Sequence, residues 1–439
     1  MSYLKKTLLT GAALLSLAGA FPAGAESLPD AVAAALEGHP GIAAAVATRD
    51  VAGQEKREQT AAYFPTLDVQ AAGGRIYGDN ATSRGLSVTR GAGYSWFGEG
   101  SVTLTQMMFD GLETPNRVDA ARARVQAADF DVVDARERLA LRAVLAYLDV
   151  VRGREIAAAM ASHQQTMESY LSRIRKMISD GGADESMGVQ AADITMQLRN
   201  SLTDIEGQLR KSGAEYAEVT GGDPAPDMAR PDFPRAALPE TAAVGIERAF
   251  RKNPLIGSAV LEEAAFSHDK AAERATLYPD LNTELSYLKR DQADIIGGEV
   301  VDARALVRMN WNFSTGGAQI ARIRKAAYQE AVSRAQREET ERKVVKTVEA
   351  AYADMETAAR RLAVLDDRVA LNEKLVKTYQ AQFEAAKVNL LQMMQAENTL
   401  FNTKVQHLNG LYRHLGAEYA ALSAIGILEE TLAGAIAPE

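Results

Sequence analysis

The sequence predicts a mainly α chain with a small β part, assembled from two tandem copies of one unit. Three observations carry this: an ordered series of repeated motifs, a helical stretch too long for a compact domain, and short segments of period-two alternation in both copies. Composition agrees, since aromatics make up only 6% and charged residues 24% of the 439 positions, the bias of long packed helices.

The chain opens as a secretory leader. Lys5 and Lys6 precede an apolar run from Thr7 to Ala20, and Ala23-Gly24-Ala25 supplies a small-residue cleavage pattern. The mature chain is expected to begin at Glu26. The apolar run falls short of the roughly 20 residues that a spanning helix needs. There is no cysteine, which excludes a disulfide framework, a thiolate metal site, a Cys nucleophile and a diacylated lipid anchor. Loss of Lys5 and Lys6 takes the 49 basic residues to 47 against 58 acidic ones, a balance of −11. That argues against nucleic acid as a partner.

The repeats organise everything after the leader. His39-Pro40 recurs as Asn253-Pro254, and Tyr63-Phe64-Pro65 as Leu277-Tyr278-Pro279, at an offset of 214. Further on, Phe109-Asp110-Gly111 answers Phe313-Ser314-Thr315-Gly316, and Ala146-Tyr147-Leu148-Asp149 answers Ala351-Tyr352-Ala353-Asp354. Gly213 to Ala217 recurs identically as Gly416 to Ala420, at offsets of 203 to 205. The change of offset places about ten extra residues in the first copy between Pro65 and Phe109, as a surface loop tolerates; the stretch from Asp79 to Gly93 takes them. The expected organisation is a leader (1–25), a first repeat (26–220), a proline-rich linker (221–240), a second repeat (241–428) and a tail (429–439).

Each copy reads helix, strand, loop, strand, long helix, tight break, return helix. Pro40 and Pro254 restart the opening helices in their first turn, and Pro65 and Pro279 end them. Leu67, Val69 and Ala71 then share a face, as do Val102, Leu104 and Met108. In the second copy Ala305, Val307, Met309, Trp311 and Phe313 face one way, and Arg308, Asn310 and Asn312 the other. Such alternation suits a strand with lipid on one side and water on the other, or a half-buried strand of a soluble sheet. From Ala318 to about Ala386 there is neither proline nor glycine. Heptads run through Val345, Val348, Tyr352, Met355, Ala359 and Leu362 and, after one slip, through Val369, Asn372, Val376, Tyr379, Phe383 and Ala386. A rod of about 100 Å follows, and it belongs in a coiled coil or a wall of parallel rods. The first copy matches it from Asn116 to Ser179, broken at Asp180-Gly181-Gly182. The return helices are far shorter, so they should stack end to end with the opening helices to cover the rods. Four strands cannot face lipid with open edges, whereas three chains supply twelve and close a barrel.

The leader, the paired Asn/His-Pro and Tyr/Phe-Pro marks and the Phe-Asp-Gly strand exit resemble the TolC-like outer-membrane efflux family. Val219 to Pro224, Phe383 to Gln392 and Ala396 to Phe401 look most similar to the subgroup that serves type I secretion. The resemblance implies a homotrimer: a tandem-duplicated long-helix coiled-coil α-barrel in the periplasm, plus four transmembrane β-strands per chain that close as a twelve-stranded barrel in the outer membrane. It implies, as partners, a periplasmic adaptor and an inner-membrane ABC or proton-driven transporter, with outer-membrane lipid around the barrel. Adaptor-contacting tips would lie at Asp180, Gly181 and Gly182 and at Ala386, Lys387 and Asn389. Gly182 matches the first tip's glycine and is expected to need positive φ, whereas Ala386 departs from the usual glycine at the second. Gln392 and Gln395 stand where relatives carry an acidic ring at the entrance constriction. Asp180, Asp184 and Glu185 could form a substitute ring or simply solvate a helix turn.

No nucleotide-binding, nucleophile-elbow or zinc-helix motif is present, and Gly91-Ala-Gly-Tyr-Ser-Trp96 reads as loop backbone. His407 and His414 share a helix face with no convincingly spaced carboxylate, so they read as packed or solvated side chains. No catalytic residue, cofactor or metal is expected. The second-tip resemblance and the lack of a lipidation cysteine favour type I protein secretion, with small-molecule efflux as the alternative and a soluble periplasmic coiled-coil scaffold as the rival class.

Overall fold

The structure, a computed structural model, describes residues 26–79, 93–292, 298–384 and 388–434. The expected leader, most of the expanded loop after Asp79, Ala386 and Lys387 lie outside the described residues.

The first repeat comprises α1 (Leu28–Gly38), α2 (Pro40–Ala61), β1 (Thr66–Gly78), β2 (Gly93–Phe109), α3 (Glu113–Ser179) and α4 (Glu185–Thr220). The second comprises α5 (Ala242–Lys252), α6 (Pro254–Ala275), β3 (Asp280–Gln292), β4 (Val300–Asn310), α7 (Ala318–Glu384) and α8 (Leu390–Ile425). A short helix α9 (Leu428–Gly434) ends the described chain. The four strands form one antiparallel sheet in the order β1-β2-β3-β4. In the second copy the strand stops at Asn310, so Trp311 and Phe313 lie beyond it instead of on it.

Both rods have 67 residues, about 100 Å each. Shorter helices pack beside them in pairs, α2 and α4 along α3, and α6 and α8 between α3 and α7. The repeated X-Pro marks are the junctions of those pairs. The His39 ring accepts from Gly41 N at 2.9 Å and lies 3.7 Å from Glu218 near the end of α4. Asn253 accepts from Leu255 N at 3.0 Å and donates to Ala424 O at 2.9 Å near the end of α8. In both copies the residue before proline caps one helix and ties it to the next.

Along α7 the inward residues run Val344, Val348, Ala351 with the expected Tyr352 buried beside it, Met355, Ala358, Leu362, Leu365, Val369, Asn372, Val376, Tyr379 and Phe383. That is an unbroken 3-4 alternation. The expected slip near residue 362 is absent, because Ala358 takes the seam position and Ala359 is exposed. A strict heptad of this length bends rods into a left-handed supercoil.

A strap crosses the middle of the rods: the linker, α1, α5 and α9. Four tyrosines of the two later repeated motifs hold it. Tyr147 donates its hydroxyl toward Glu26 O (2.8 Å) and Ala229 O (2.7 Å), and Tyr352 donates to Pro239 O (2.8 Å). Tyr216 donates to the Glu26 carboxylate, and Tyr419 packs edge-on against Phe233 at 5.1 Å. Burial pushes the Tyr147 hydroxyl up to about 12.

Candidate functional site

Two regions carry functional geometry, the sheet and the far ends of the rods. Cross-strand partners share a face, so the register sorts the sheet residue by residue. Leu67, Leu104, Leu285 and Ala305 make one row, and Val69, Val102, Tyr287 and Ala303 the next. Met309, Val307 and Val301 continue this face, with Tyr77, Tyr94 and Trp96 toward the far end of the first hairpin. Val69 is 68% and Val307 74% exposed, so neither is packed against the rest of the described chain.

The opposite face is polar. Its rows are Asp68, Thr103, Ser286 and Arg304, then Gln70, Ser101, Leu288 and Asp302. Arg290 pairs with Glu99 (2.6 Å), Arg308 with Glu284 (2.8 Å), and Arg304 with Asp302. Gln292 donates to Ser95 at 2.9 Å. One face is fit for hydrocarbon and the other for water.

Aromatic pairs close both ends of the apolar face. Tyr77 and Tyr94 meet at 5.2 Å, and Trp311 and Phe313 at 4.8 Å, with the Trp311 indole donating to Leu277 O at 3.1 Å. From Leu67 to Tyr77 the band runs about 33 Å along the strand, or about 25 Å of height at an ordinary barrel tilt. In the second hairpin it ends sooner, because Lys289 and Asp291 occupy this face above Tyr287. A band that climbs from one hairpin to the other is what strands tilted against a barrel axis produce.

At the rod ends α3 turns into α4. Gly181 has φ +72°, its N–H reaches Ile178 O (3.1 Å), and Gly182 N–H reaches Met177 O (2.8 Å). These two bonds make a Schellman cap. The expectation that Gly182 needs positive φ is therefore corrected to Gly181. A Cβ on Gly182 would meet only Met177 O at 3.5 Å, an ordinary contact. Gly181→Val should destabilise the tip by about 1–2 kcal/mol and Gly182→Val by clearly less. Hydrogen exchange at the tip amides of Gly181 and Gly182 measures this, and equal effects would refute the assignment.

Asp184 caps α4 through its backbone and Glu185 opens the helix; both are exposed. In the second tip Asn389 Oδ1 accepts from Gln392 N (2.8 Å), and Gln392 Oε1 accepts from Asn389 N (3.2 Å). This capping box commits the Gln392 amide oxygen to the start of α8, which sequence reasoning had left free for an entrance. Gln395 is exposed. A buried cluster including Met167, Ile174, Leu390 and Met394 joins α3 and α8 near the tips and continues into α4 through Ala191. It brings Gln392 and Gln395 to the same end of the molecule as Asp184 and Glu185.

The histidine reading needs one correction. Glu418, one turn after His414, lies 3.4 Å from its ring and is only 4% exposed. Burial raises the Glu418 carboxyl above the usual carboxylate range. His407 meets Asp366 at 2.7 Å. Neither pair gathers a third ligand, and among the described residues no group of three or more His, Cys, Asp or Glu is placed to hold a metal. The i, i+4 spacing was the available signal for His414 and Glu418.

Residues 245–426 match the family described as outer membrane efflux protein. The chain is 24% identical over 355 residues to the outer membrane efflux protein BepC of Brucella suis, covering 80% of this chain and 76% of the relative. It is 23% identical over 424 residues to the outer membrane protein TolC of Vibrio cholerae, covering 92% of each. A crystal structure of a membrane protein from Pseudomonas aeruginosa superposes with a TM-score of 0.79 at 18% identity, over 91% of this chain and 90% of the other.

Proposed function

We propose that this chain, a member of the TolC-like outer-membrane efflux family, is the exit duct of a tripartite export system, working as a homotrimer in the outer membrane. The observation that carries this is the two-faced sheet with two open edges. The outer edges of β1 and β4 have no partner strand among the described residues. In lipid each unpaired backbone group would cost several kcal/mol. Pairing β4 of one copy with β1 of the next removes every edge at twelve strands. The apolar outer face speaks against the soluble scaffold, which would hold Val69, Val307 and Trp96 in water.

The rods then continue the duct into the periplasm as an α-barrel, and the tips meet a periplasmic adaptor at Asp180, Gly181, Gly182, Ala386, Lys387 and Asn389. The duct does no chemistry, and an inner-membrane transporter drives it. The second-tip similarity in Phe383–Gln392 and Ala396–Phe401 favours type I protein secretion with an ABC transporter. The similarity to BepC, an outer membrane efflux protein, favours efflux in place of protein secretion as the second reading. Light scattering of the purified protein in detergent should give a trimer, and a monomer would sink the proposal.

Gln392 and Gln395 make the entrance neutral in this reading, since amides offer dipoles where carboxylates offer charge. Gln392→Asp with Gln395→Asp should raise cation selectivity and introduce block by multivalent cations. The cap tolerates the change, because Asp30 already fills the same position in the Ser27 capping box of α1. Reversal potentials in planar bilayers decide. A parent that is already strongly cation-selective, and unchanged by the acids, would shift the selectivity to Asp184 and Glu185.

A further inference from the structure

The linker part of the strap faces one side of the helical wall, where Arg230, Phe233 and Arg235 line a cavity with Leu411, Leu415 and Glu418 of α8 and Leu362 and Asp366 of α7. On the face turned away from it, α8 forms the floor of a cleft between α3 and α7. Two cavities of about 990 and 540 Å³ follow one another along this cleft. Only Ala358, Arg361, Arg413 and Gly416 line both. The neck between the cavities thus has two small residues and two arginines.

The other arginines of the cleft are neutralised: Arg138 by Asp134 at 2.7 Å, and Arg152 by Asp149 at 3.0 Å. Lys343 pairs with Glu339 at 2.7 Å, while Lys346, which lines the larger cavity and not the neck, is a further cation without an ion pair among the described residues. Arg361 and Arg413 stand apart from all ion pairs and side-chain hydrogen bonds among the described residues. The one cleft carboxylate in the same condition, Asp354, lines the larger cavity and not the neck. In a chain with 58 acidic and 49 basic residues, these two exposed guanidiniums line one neck with no carboxylate of the described residues on either, and are free to take an oxyanion from outside. Leu141, Leu145, Leu148 and Leu365 wall the cleft on either side and lower the local polarity, which strengthens any charge pairing there.

We propose that the Arg361–Arg413 neck binds an anionic group, carboxylate or phosphate, on a molecule lying in the cleft. A guanidinium presents a planar fork that matches either oxyanion with two parallel hydrogen bonds. A role in passage through the duct rests on the exporting function proposed above; the binding itself does not.

Isothermal titration of the full-length protein in non-ionic detergent tests this, with pyrophosphate and citrate as separate probes for the two anion classes. Saturable binding of at least one probe is expected. Arg361→Gln with Arg413→Gln should weaken it at least tenfold. The paired Lys variant, which keeps charge but loses the fork, should fall between. Arg360→Gln, beside the neck but paired with Glu356 at 2.6 Å, should bind as the parent does. Thermal melts confirm that each variant is folded, and the single Arg413→Gln replaces the double variant if that fails. No saturable binding by the parent, or unchanged binding in the Gln variants, overturns the proposal. Conductance measured on the same preparation separates the two ideas: a conducting protein that binds neither probe refutes the site alone, and a binding protein that does not conduct refutes the duct alone.

Discussion

Leu285→Lys should largely abolish stable membrane insertion. Leu285 lies midway between Leu281 and Lys289 on the apolar face of β3, flanked by Leu104 and Ala305. A lysine at the midplane of a barrel's lipid face costs about 2–4 kcal/mol, and a trimer would carry it three times. Thr103→Lys, on the polar face, should be tolerated, because its cross-strand neighbour is Asp68 and its side is wet. Urea unfolding in lipid vesicles, read with the fraction of chain recovered in the outer membrane, measures both. Equal sensitivity at the two positions would mean that the sheet does not separate lipid from water.

The second large effect concerns Glu137, only 4% exposed beneath the strap. Its carboxyl oxygens accept from the backbone amides of Leu428 and Glu429, each at 3.2 Å, and so hold the start of α9. Burial pushes this carboxyl up to about 7, with the Glu429 charge adding to the rise and the two amide bonds opposing it. A carboxyl raised in the folded state binds a proton that the unfolded chain releases at its ordinary value. The resulting stabilisation is complete below about pH 4.5, declines as pH rises, and is gone above about 7. Stability against urea, followed at α9 by hydrogen exchange, should therefore fall by roughly 3 kcal/mol between pH 4.5 and 7. Glu137→Gln should flatten that profile, at the expense of one of the two amide bonds. A variant with the parent's pH dependence would assign the effect to another group, Glu418 first.

Much of this was legible in the chain before any coordinates. Local backbone chemistry wrote the restart of the opening helices, since proline fits a helix's first turn and breaks a helix that runs into it, as at His39-Pro40 and Asn253-Pro254. Periodicity of two and of three-and-a-half wrote the strands and rods, because a side chain's face follows from its position along the chain. The apolar strand faces were readable for the same reason, down to Leu67, Val69, Ala305 and Val307.

What the tertiary structure decided involves residues distant in sequence or competing for one role. The repeated tyrosines were visible as motifs, but their function needed the strap folded back over them. The seam through Ala358 instead of Ala359 shows only in their burial in the fold, as alanines on adjacent faces look alike in sequence. Gly181 and Gly182 were equally able to adopt positive φ, and only the two cap bonds to Ile178 and Met177 chose between them. Gln392 could have faced an entrance until Asn389 claimed its amide oxygen. The single-chain sequence thus determined the elements and their faces, which depend on local sterics and period. The tertiary fold determined partners, which depend on contacts between residues up to some 290 positions apart, such as Glu137 and Glu429.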